Sequence, residues 1–141
     1  MQDIKLQNMK EDYSSIPNYE TFSEREAKAI VRALISVYSL GDIKESEAAE
    51  EILKKSVSVS LVNDDFSLTI LGENLGIEIG ESLFVSWDKF QEIDNINTEE
   101  FDEYFFDLWY EGIDNIGIFD STLEWVIFIV RNGDIRLARG R

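Results

Sequence analysis

The side chains that could do chemistry in this sequence are almost all carboxylates. The chain carries 29 aspartates and glutamates against 13 lysines and arginines, and it has neither histidine nor cysteine. It therefore lacks the commonest general base near neutral pH and the usual ligands of zinc. Two carboxylates could still act as an acid and a base, as in glycoside hydrolysis. No spacing singles out such a pair, so the sequence predicts no catalytic residues and no enzyme.

Metal and phosphate sites are not indicated either. Asn63-Asp64-Asp65 and Asp114-Asn115 lie in turn-like sequence, but neither has the spacing of a calcium-binding loop. Turn formation explains both segments without a metal ion. Gly72, Gly76 and Gly80 are not followed by the Lys-Ser/Thr pair of a phosphate-binding loop. We therefore expect no metal ion and no cofactor.

The acidic residues are concentrated in one stretch of the chain. Between Asp64 and Glu124 there are 17 acidic residues and a single base, Lys89, so this stretch accounts for the net charge of −16. Such a field repels nucleic acid and anionic lipid and attracts a cationic protein surface. The pattern predicts a basic protein partner, with neither nucleic acid nor membrane bound. Solubility alone is the alternative explanation.

A helix predicted from Thr98 to about Tyr110 carries the most specific pattern in this stretch. At 100° per residue, five apolar or aromatic side chains form its core face: Phe101, Tyr104, Phe105, Leu108 and Trp109. Four acids occupy the opposite face: Glu99, Asp102, Glu103 and Asp107. Phe106 falls among these acids, which is typical of an interface anchor surrounded by charges that steer a partner. The alternative is that the N-terminal segment covers Phe106.

The acids continue beyond this helix, and like charges so close together repel one another. A cationic partner would relieve that repulsion. The predicted partner-binding residues are therefore Glu99, Asp102, Glu103, Phe106, Asp107, Glu111, Asp114 and Asp120.

The elements that must position these residues indicate one acidic α+β domain spanning residues 1–141. Residues 1–19 show little periodicity and are expected to be a loosely attached leader. Thr21 or Ser23 caps an amphipathic helix that ends at Gly41. A second helix follows from Asp42 to about Lys55. The helix from Thr98 is the third. The remaining segments read as strands, and because they do not alternate regularly with helices they predict a mainly antiparallel sheet.

The strands are predicted from a period of two in the apolar residues. Residues 57–61 and 66–70 are expected to pair as a hairpin, and two short extended segments are expected at 75–79 and 83–87. Two further strands cover 116–119 and 123–130. Asn132-Gly133 then predicts a C-terminal hairpin with a type I′ turn. The polar N-terminus and the lack of a long apolar run favour a cytoplasmic protein.

Part of the C-terminal half resembles a known class of proteins. The segments that carry the resemblance are Ser82-Leu83-Phe84-Val85-Ser86-Trp87-Asp88-Lys89-Phe90, Phe105-Phe106-Asp107-Leu108-Trp109-Tyr110-Glu111 and Ile118-Phe119-Asp120-Ser121-Thr122-Leu123-Glu124-Trp125. They are similar to immunity proteins of bacterial polymorphic-toxin and contact-dependent growth inhibition systems. The resemblance implies a small acidic protein that binds and blocks a cognate toxin domain, commonly a nuclease. It carries no residue roles over to this chain.

Two other functions remain open from the sequence. A phage or mobile-element DNA mimic, acting as an anti-defence inhibitor of a nucleic-acid-binding protein, would use the same electrostatics. Its acids would then be spaced like phosphates along an elongated face. A small regulatory or enzymatic domain with unspecific acidity is the third possibility.

Overall fold

The computed structural model describes residues 1–140, which form six α-helices and seven β-strands. The helices are α1 (Asp3–Tyr13), α2 (Glu24–Val37), α3 (Ala48–Lys54), α4 (Leu68–Leu75), α5 (Thr98–Glu103) and α6 (Phe105–Leu108), with a short 3-10 helix at Glu45–Glu47. The strands are β1 (Tyr19–Thr21), β2 (Val57–Leu61), β3 (Ser82–Ser86), β4 (Ile93–Asn97), β5 (Ile116–Phe119), β6 (Trp125–Ile129) and β7 (Asp134–Arg139).

All seven strands belong to one antiparallel sheet in the order β1-β4-β3-β5-β6-β7-β2. The predicted α+β class is therefore confirmed. Alternate residues of the central strands face opposite sides: Trp125, Ile127 and Ile129 pack under α1, α4, α5 and α6, whereas Val126 and Phe128 pack under α2 and α3. Helices thus cover both faces of the sheet, and the strands between them are buried on both sides.

Of the two N-caps that the sequence offers for α2, the structure uses Ser23. Ser23 Oγ accepts a hydrogen bond from the Glu26 amide, and the Glu26 carboxylate accepts one from the Ser23 amide. This is a capping box. The helix ends at Val37, before the Gly41 predicted as its end. The second predicted helix is present as the 3-10 helix followed by α3.

The N-terminal segment is not a loose leader, so that prediction is wrong. It forms α1, in which Lys5 and Met9 are buried, and Asn8 donates a 2.7 Å hydrogen bond to the Tyr110 hydroxyl. The sequence shows no helical pattern here because the buried face of α1 includes Lys5, whereas the apolar Ile4 is 55% exposed. An apolar periodicity cannot reveal a helix whose buried face is partly charged.

Residues 66–70 do not form the predicted strand, because α4 begins within them. Ser67 caps this helix by accepting a hydrogen bond from the Ile70 amide, and Gly76 ends it with a positive φ of 69°. Consequently β2 pairs with β7 instead of with 66–70. Residues 75–79 are also not a strand, whereas 83–87 falls largely on β3.

The predicted third helix is divided at Tyr104 into α5 and α6, and its N-cap is Asn97 instead of Thr98. The C-terminal hairpin of β6 and β7 is confirmed, but its turn is not type I′. Only Gly133 of the Asn-Gly pair has a positive φ, and its amide donates to the Val130 carbonyl at 2.8 Å. This matches a type I turn followed by a glycine in the left-handed region.

The turn with two successive positive φ values lies between β3 and β4. Lys89 and Phe90 have φ values of 47° and 65°, and the Gln91 amide donates to the Asp88 carbonyl at 2.8 Å. Burial of the Phe90 ring beside Phe119 offsets the strain of a bulky residue in this conformation. Over residues 1–140, no helix is long and apolar enough to cross a membrane.

Candidate partner-binding site

Phe106 is exposed on an otherwise buried helix. Its neighbours Phe105 and Leu108 are fully buried in the core, whereas 47% of Phe106 is exposed. The five residues predicted for the core face are all buried. The N-terminal helix packs on α6 but leaves Phe106 accessible, so the alternative that this segment covers the ring does not hold. The ring meets the edge of Phe105 at a centroid distance of 5.1 Å, which fixes its direction.

Phe106 forms one wall of an open cavity of about 500 Å³, which we call the Phe106 pocket. Its lining comes from three places in the chain: Leu61 to Asp64 after β2, Phe106 and Trp109 to Glu111 around α6, and Asn132-Gly133 in the β6–β7 turn. Backbone hydrogen bonds hold these segments together, from the Val62 amide to the Gly133 carbonyl at 2.8 Å and from the Gly112 amide to the Arg131 carbonyl at 2.6 Å.

The rim of the pocket combines carboxylates with apolar side chains. Asp64 and Glu111 are exposed, and neither side chain has a hydrogen-bond or ion-pair partner among residues 1–140. Leu61 is 65% exposed and Phe106 is 47% exposed. Isolated apolar residues on a surface are ordinary, but a cluster bordered by acids is typical of an interaction site.

Asp114 is buried and forms part of the support beneath this site, whereas the prediction placed it on the partner-facing surface. Its Oδ2 accepts hydrogen bonds from Lys5 Nζ at 2.6 Å and from the Tyr110 amide at 2.7 Å. Trp109 Nε1 donates to the Asp114 carbonyl at 3.0 Å. Lys5 Nζ also lies 4.2 Å from the centroid of the Tyr110 ring. The buried pair therefore fixes the two aromatic residues that line the pocket.

Asp102 caps α4 and is likewise not a free surface acid. Its carboxylate accepts hydrogen bonds from the Leu68 amide at 2.6 Å and the Thr69 amide at 3.3 Å. The hydroxyls of Ser67 and Thr69 also donate to it. These are unpaired donors at a helix N-terminus, where a negative charge is stabilised. Asp102 therefore has a structural role at the start of α4, which the prediction of a free partner-binding acid did not include.

Asp107 is half-buried and faces Asp12 of α1. Burial, followed by the nearby Asp12 carboxyl, raises the pKa of Asp107 to about 6, and Lys5 opposes this shift. Two carboxyls that are close together resist being ionised at the same time. Near neutral pH, Asp107 and Asp12 therefore repel each other where α1 meets α6, and Asp107 does not line the Phe106 pocket.

The remaining predicted residues lie outside the Phe106 pocket. Glu99 and Glu103 are exposed on α5, outside the lining of the pocket. Asp120 follows β5 at the end remote from the β6–β7 turn, where its carboxylate accepts bonds from the amide and hydroxyl of Thr122. Of the eight predicted residues, the structure brings only Phe106 and Glu111 together in one cavity.

Sequence reasoning missed Leu61 and Asp64. Both lie far from α6 in the chain, and Asp64 reads as one residue of an ordinary Asn-Asp-Asp turn. The apolar residue at the end of β2 was the one feature that could have indicated this site, because the solvent-exposed face of a strand usually carries polar residues.

A larger open cavity, of about 870 Å³, lies elsewhere between α2, the 3-10 helix and the β3–β4 turn. Its charged lining residues are of both signs and include Lys28, Lys44, Glu24 and Glu45. Because it has no net charge preference and no exposed aromatic anchor, it offers no comparable recognition chemistry. Within residues 1–140, no group of three or more acidic residues is arranged to hold a metal ion.

Comparison of the chain with models of protein families, with curated proteins and with solved structures gives no match.

Proposed function

We propose that this protein is an immunity protein that binds and neutralises a cognate toxin domain through the Phe106 pocket and its acidic surroundings. The observation that carries the proposal is a half-exposed phenylalanine beside two carboxylates that have no partner among residues 1–140. Large aromatic residues in pockets surrounded by less critical contacts supply much of the free energy of protein association. The carboxylates supply orientation and rapid encounter.

A nuclease toxin suits this surface because its active site must be basic to hold phosphates. An acidic protein surface that binds over such a cleft excludes the nucleic acid substrate. In this proposal the protein acts in the cytoplasm, where a nuclease toxin would meet its substrate. Neutralisation requires no catalysis and no cofactor from the immunity protein.

The arrangement of the acids supports this proposal over a DNA mimic. A mimic needs a row of free carboxylates spaced like phosphates. Asp102 and Asp114 are instead bonded internally, and Asp120 lies at the other end of β5. Asp64 and Glu111 instead border an apolar spot around Phe106, which has no counterpart in a phosphate backbone.

The test is whether this protein binds the product of the gene that neighbours its own. Binding is measured by surface plasmon resonance with the two purified proteins. We expect Phe106→Ala to weaken binding by about 30-fold or more, as for an interface hot spot. Ile70→Ala is the matched control, because Ile70 is 56% exposed on α4 and lies outside the pocket. An equal effect of both substitutions would reject the pocket as the binding site.

The electrostatic part of the proposal has its own readout. Asp64→Asn with Glu111→Gln should lower the association rate and reduce its dependence on salt, because the removed charges steer the encounter. Glu47→Gln with Glu50→Gln removes the same charge from the other face of the sheet and should have little effect. Unchanged neutralisation of toxin activity by the Asp64 and Glu111 variant would reject this mechanism.

A further inference from the structure

We infer that the Phe106 pocket receives an arginine side chain of the partner protein. This inference rests on the proposed function and specifies the chemistry at the centre of its interface. The pocket has an aromatic side chain with an exposed ring, two unpaired carboxylates from different segments and the amide side chains of Asn63 and Asn132. Such a combination recognises a cation that also has a flat, stackable surface.

The charges of the pocket call for a cation from outside the chain. Asp64 and Glu111 are its charged lining residues, and both are acidic. The nearest arginine in the sequence, Arg131, lines a different cavity with residues of α3. Lys5 is fully occupied by Asp114 beneath the pocket. The unneutralised carboxylates therefore remain available to a partner.

Arginine fits this site better than lysine for two reasons. A guanidinium can stack on the exposed Phe106 ring, and its fork of N–H donors can at the same time bond a carboxylate of the pocket lining. An ammonium is more strongly hydrated and presents no flat face, so it gains less from an aromatic wall. The ring of Tyr110 is already approached by Lys5, with Nζ 4.2 Å from its centroid, which leaves Phe106 as the stacking surface.

The first experiment uses small probes on the intact chain. N-acetyl-arginine methylamide is titrated into labelled protein, followed by nuclear magnetic resonance, with the lysine and norleucine analogues in parallel. We expect saturable shifts at the amides of residues 61–64 and 132–133 and at the Trp109 indole, with the arginine probe binding at least threefold more tightly than the lysine probe. Equal affinity for all three probes, or shifts centred elsewhere, would overturn the inference.

Variants assign the effect to the pocket. Asp64→Asn with Glu111→Gln should weaken binding of the arginine probe at least tenfold, and Glu47→Gln with Glu50→Gln should leave it unchanged. Because Asp64 and Glu111 are exposed and unpaired, the variant should keep the wild-type circular dichroism spectrum and melt no lower than the wild-type protein. Loss of probe affinity in the control variant to the same extent would show non-specific attraction to the net charge and reject the pocket.

The second experiment separates this inference from the proposed function. Each surface arginine of the bound partner is replaced by lysine, and affinity is measured for wild-type protein and for Phe106→Ala. We expect one arginine whose replacement costs about tenfold or more with the wild-type protein and little with Phe106→Ala. If binding depends on Phe106 but no partner arginine behaves in this way, the arginine inference fails while the proposed function stands. If the partner does not bind at all, the proposed function fails.

Discussion

At the residue scale, the most consequential contact is the buried pair of Lys5 and Asp114. It joins α1 to the loop after α6 across 109 positions of sequence, with an Nζ to Oδ2 distance of 2.6 Å. A buried charge is tolerated only when it is paired and hydrogen-bonded, and Asp114 also accepts the Tyr110 amide. The pair thus decides how the aromatic residues at the floor of the Phe106 pocket are held.

Removing one member of this pair should be costly. We expect Lys5→Met to lower the free energy of unfolding by about 3–5 kcal/mol, because it leaves the Asp114 carboxylate buried without a counter-charge. Lys5→Met with Asp114→Asn should cost less than the sum of the single changes. Urea unfolding gives the three values, with the exposed Lys10→Met as the control. A Lys5→Met effect no larger than that of Lys10→Met would contradict this account.

The pKa of Asp107 predicts a pH dependence of stability. Burial and the Asp12 carboxyl raise it from 3.8 to about 6 in the folded protein. Since the folded state holds this proton more tightly than the unfolded state, the stabilisation from Asp107 is fully present below about pH 4 and is lost as the pH rises through about 6. Relative to Asp107→Asn, the wild-type protein should therefore lose stability over this range.

The measurement is urea unfolding of both proteins at intervals from pH 4 to pH 7. The difference in free energy of unfolding between wild type and Asp107→Asn isolates this group from the other acids. Asp12→Asn should reduce this pH dependence, because it removes a neighbouring carboxyl that helps to raise the pKa of Asp107. A difference that does not change across this range would show that the two carboxyls do not interact.

At the scale of elements, α4 depends on a cap supplied by another helix. Asp102 of α5 accepts the backbone amides of Leu68 and Thr69. A carboxylate at this position satisfies donors that the helix cannot satisfy itself and interacts favourably with the helix dipole. This tertiary cap accounts for a helix in a segment whose alternating apolar residues predict a strand.

We expect Asp102→Ala to destabilise the protein by about 1–3 kcal/mol, because it leaves the amides of Leu68 and Thr69 without an acceptor. Amide hydrogen exchange should accelerate most at these two residues and less in the sheet. Glu103→Ala, at an exposed neighbouring position, is the control. If exchange at Leu68 and Thr69 is the same in both variants, Asp102 does not cap α4.

At the scale of the whole molecule, the net charge of −16 acts against the compact state. Exposed acids such as Glu99, Glu103 and Glu111 have no paired cation among residues 1–140. Self-repulsion of this kind is screened by salt, since the Debye length falls from about 30 Å at 0.01 M to about 8 Å at 0.15 M.

Salt should therefore stabilise the free protein. We expect the melting temperature to rise by several degrees as sodium chloride is increased from about 0.01 M to about 0.15 M, because screening weakens the repulsion. Differential scanning calorimetry measures the shift. A variant with Glu99→Gln, Glu103→Gln and Glu111→Gln should melt higher at low salt and respond less to added salt. A melting temperature that falls with salt would show that attractive ion pairs dominate instead.

The sequence alone determined those features that depend on nearby residues. The capping-box pattern at Thr21 or Ser23 placed the start of α2 to within two residues, since both hydrogen bonds of such a box lie within four residues. The apolar run from Trp125 to Val130 and the Asn132-Gly133 pair after it specified the C-terminal hairpin. The helical period placed the core residues of α5 and α6 on one side and left Phe106 exposed, and the burial of these residues agrees with it although the helix is divided at Tyr104.

The tertiary structure decided every feature that depends on partners distant in the chain. Lys5 and Asp114 form a pair over 109 positions, and Asp102 caps α4 over 34. Neither distance is encoded in a local pattern, so two predicted surface acids became structural groups and a predicted strand became a helix. The Phe106 pocket follows the same principle. Asp64 and Glu111 share one cavity because β2 pairs with β7 at the edge of the sheet, which brings the end of β2 beside α6.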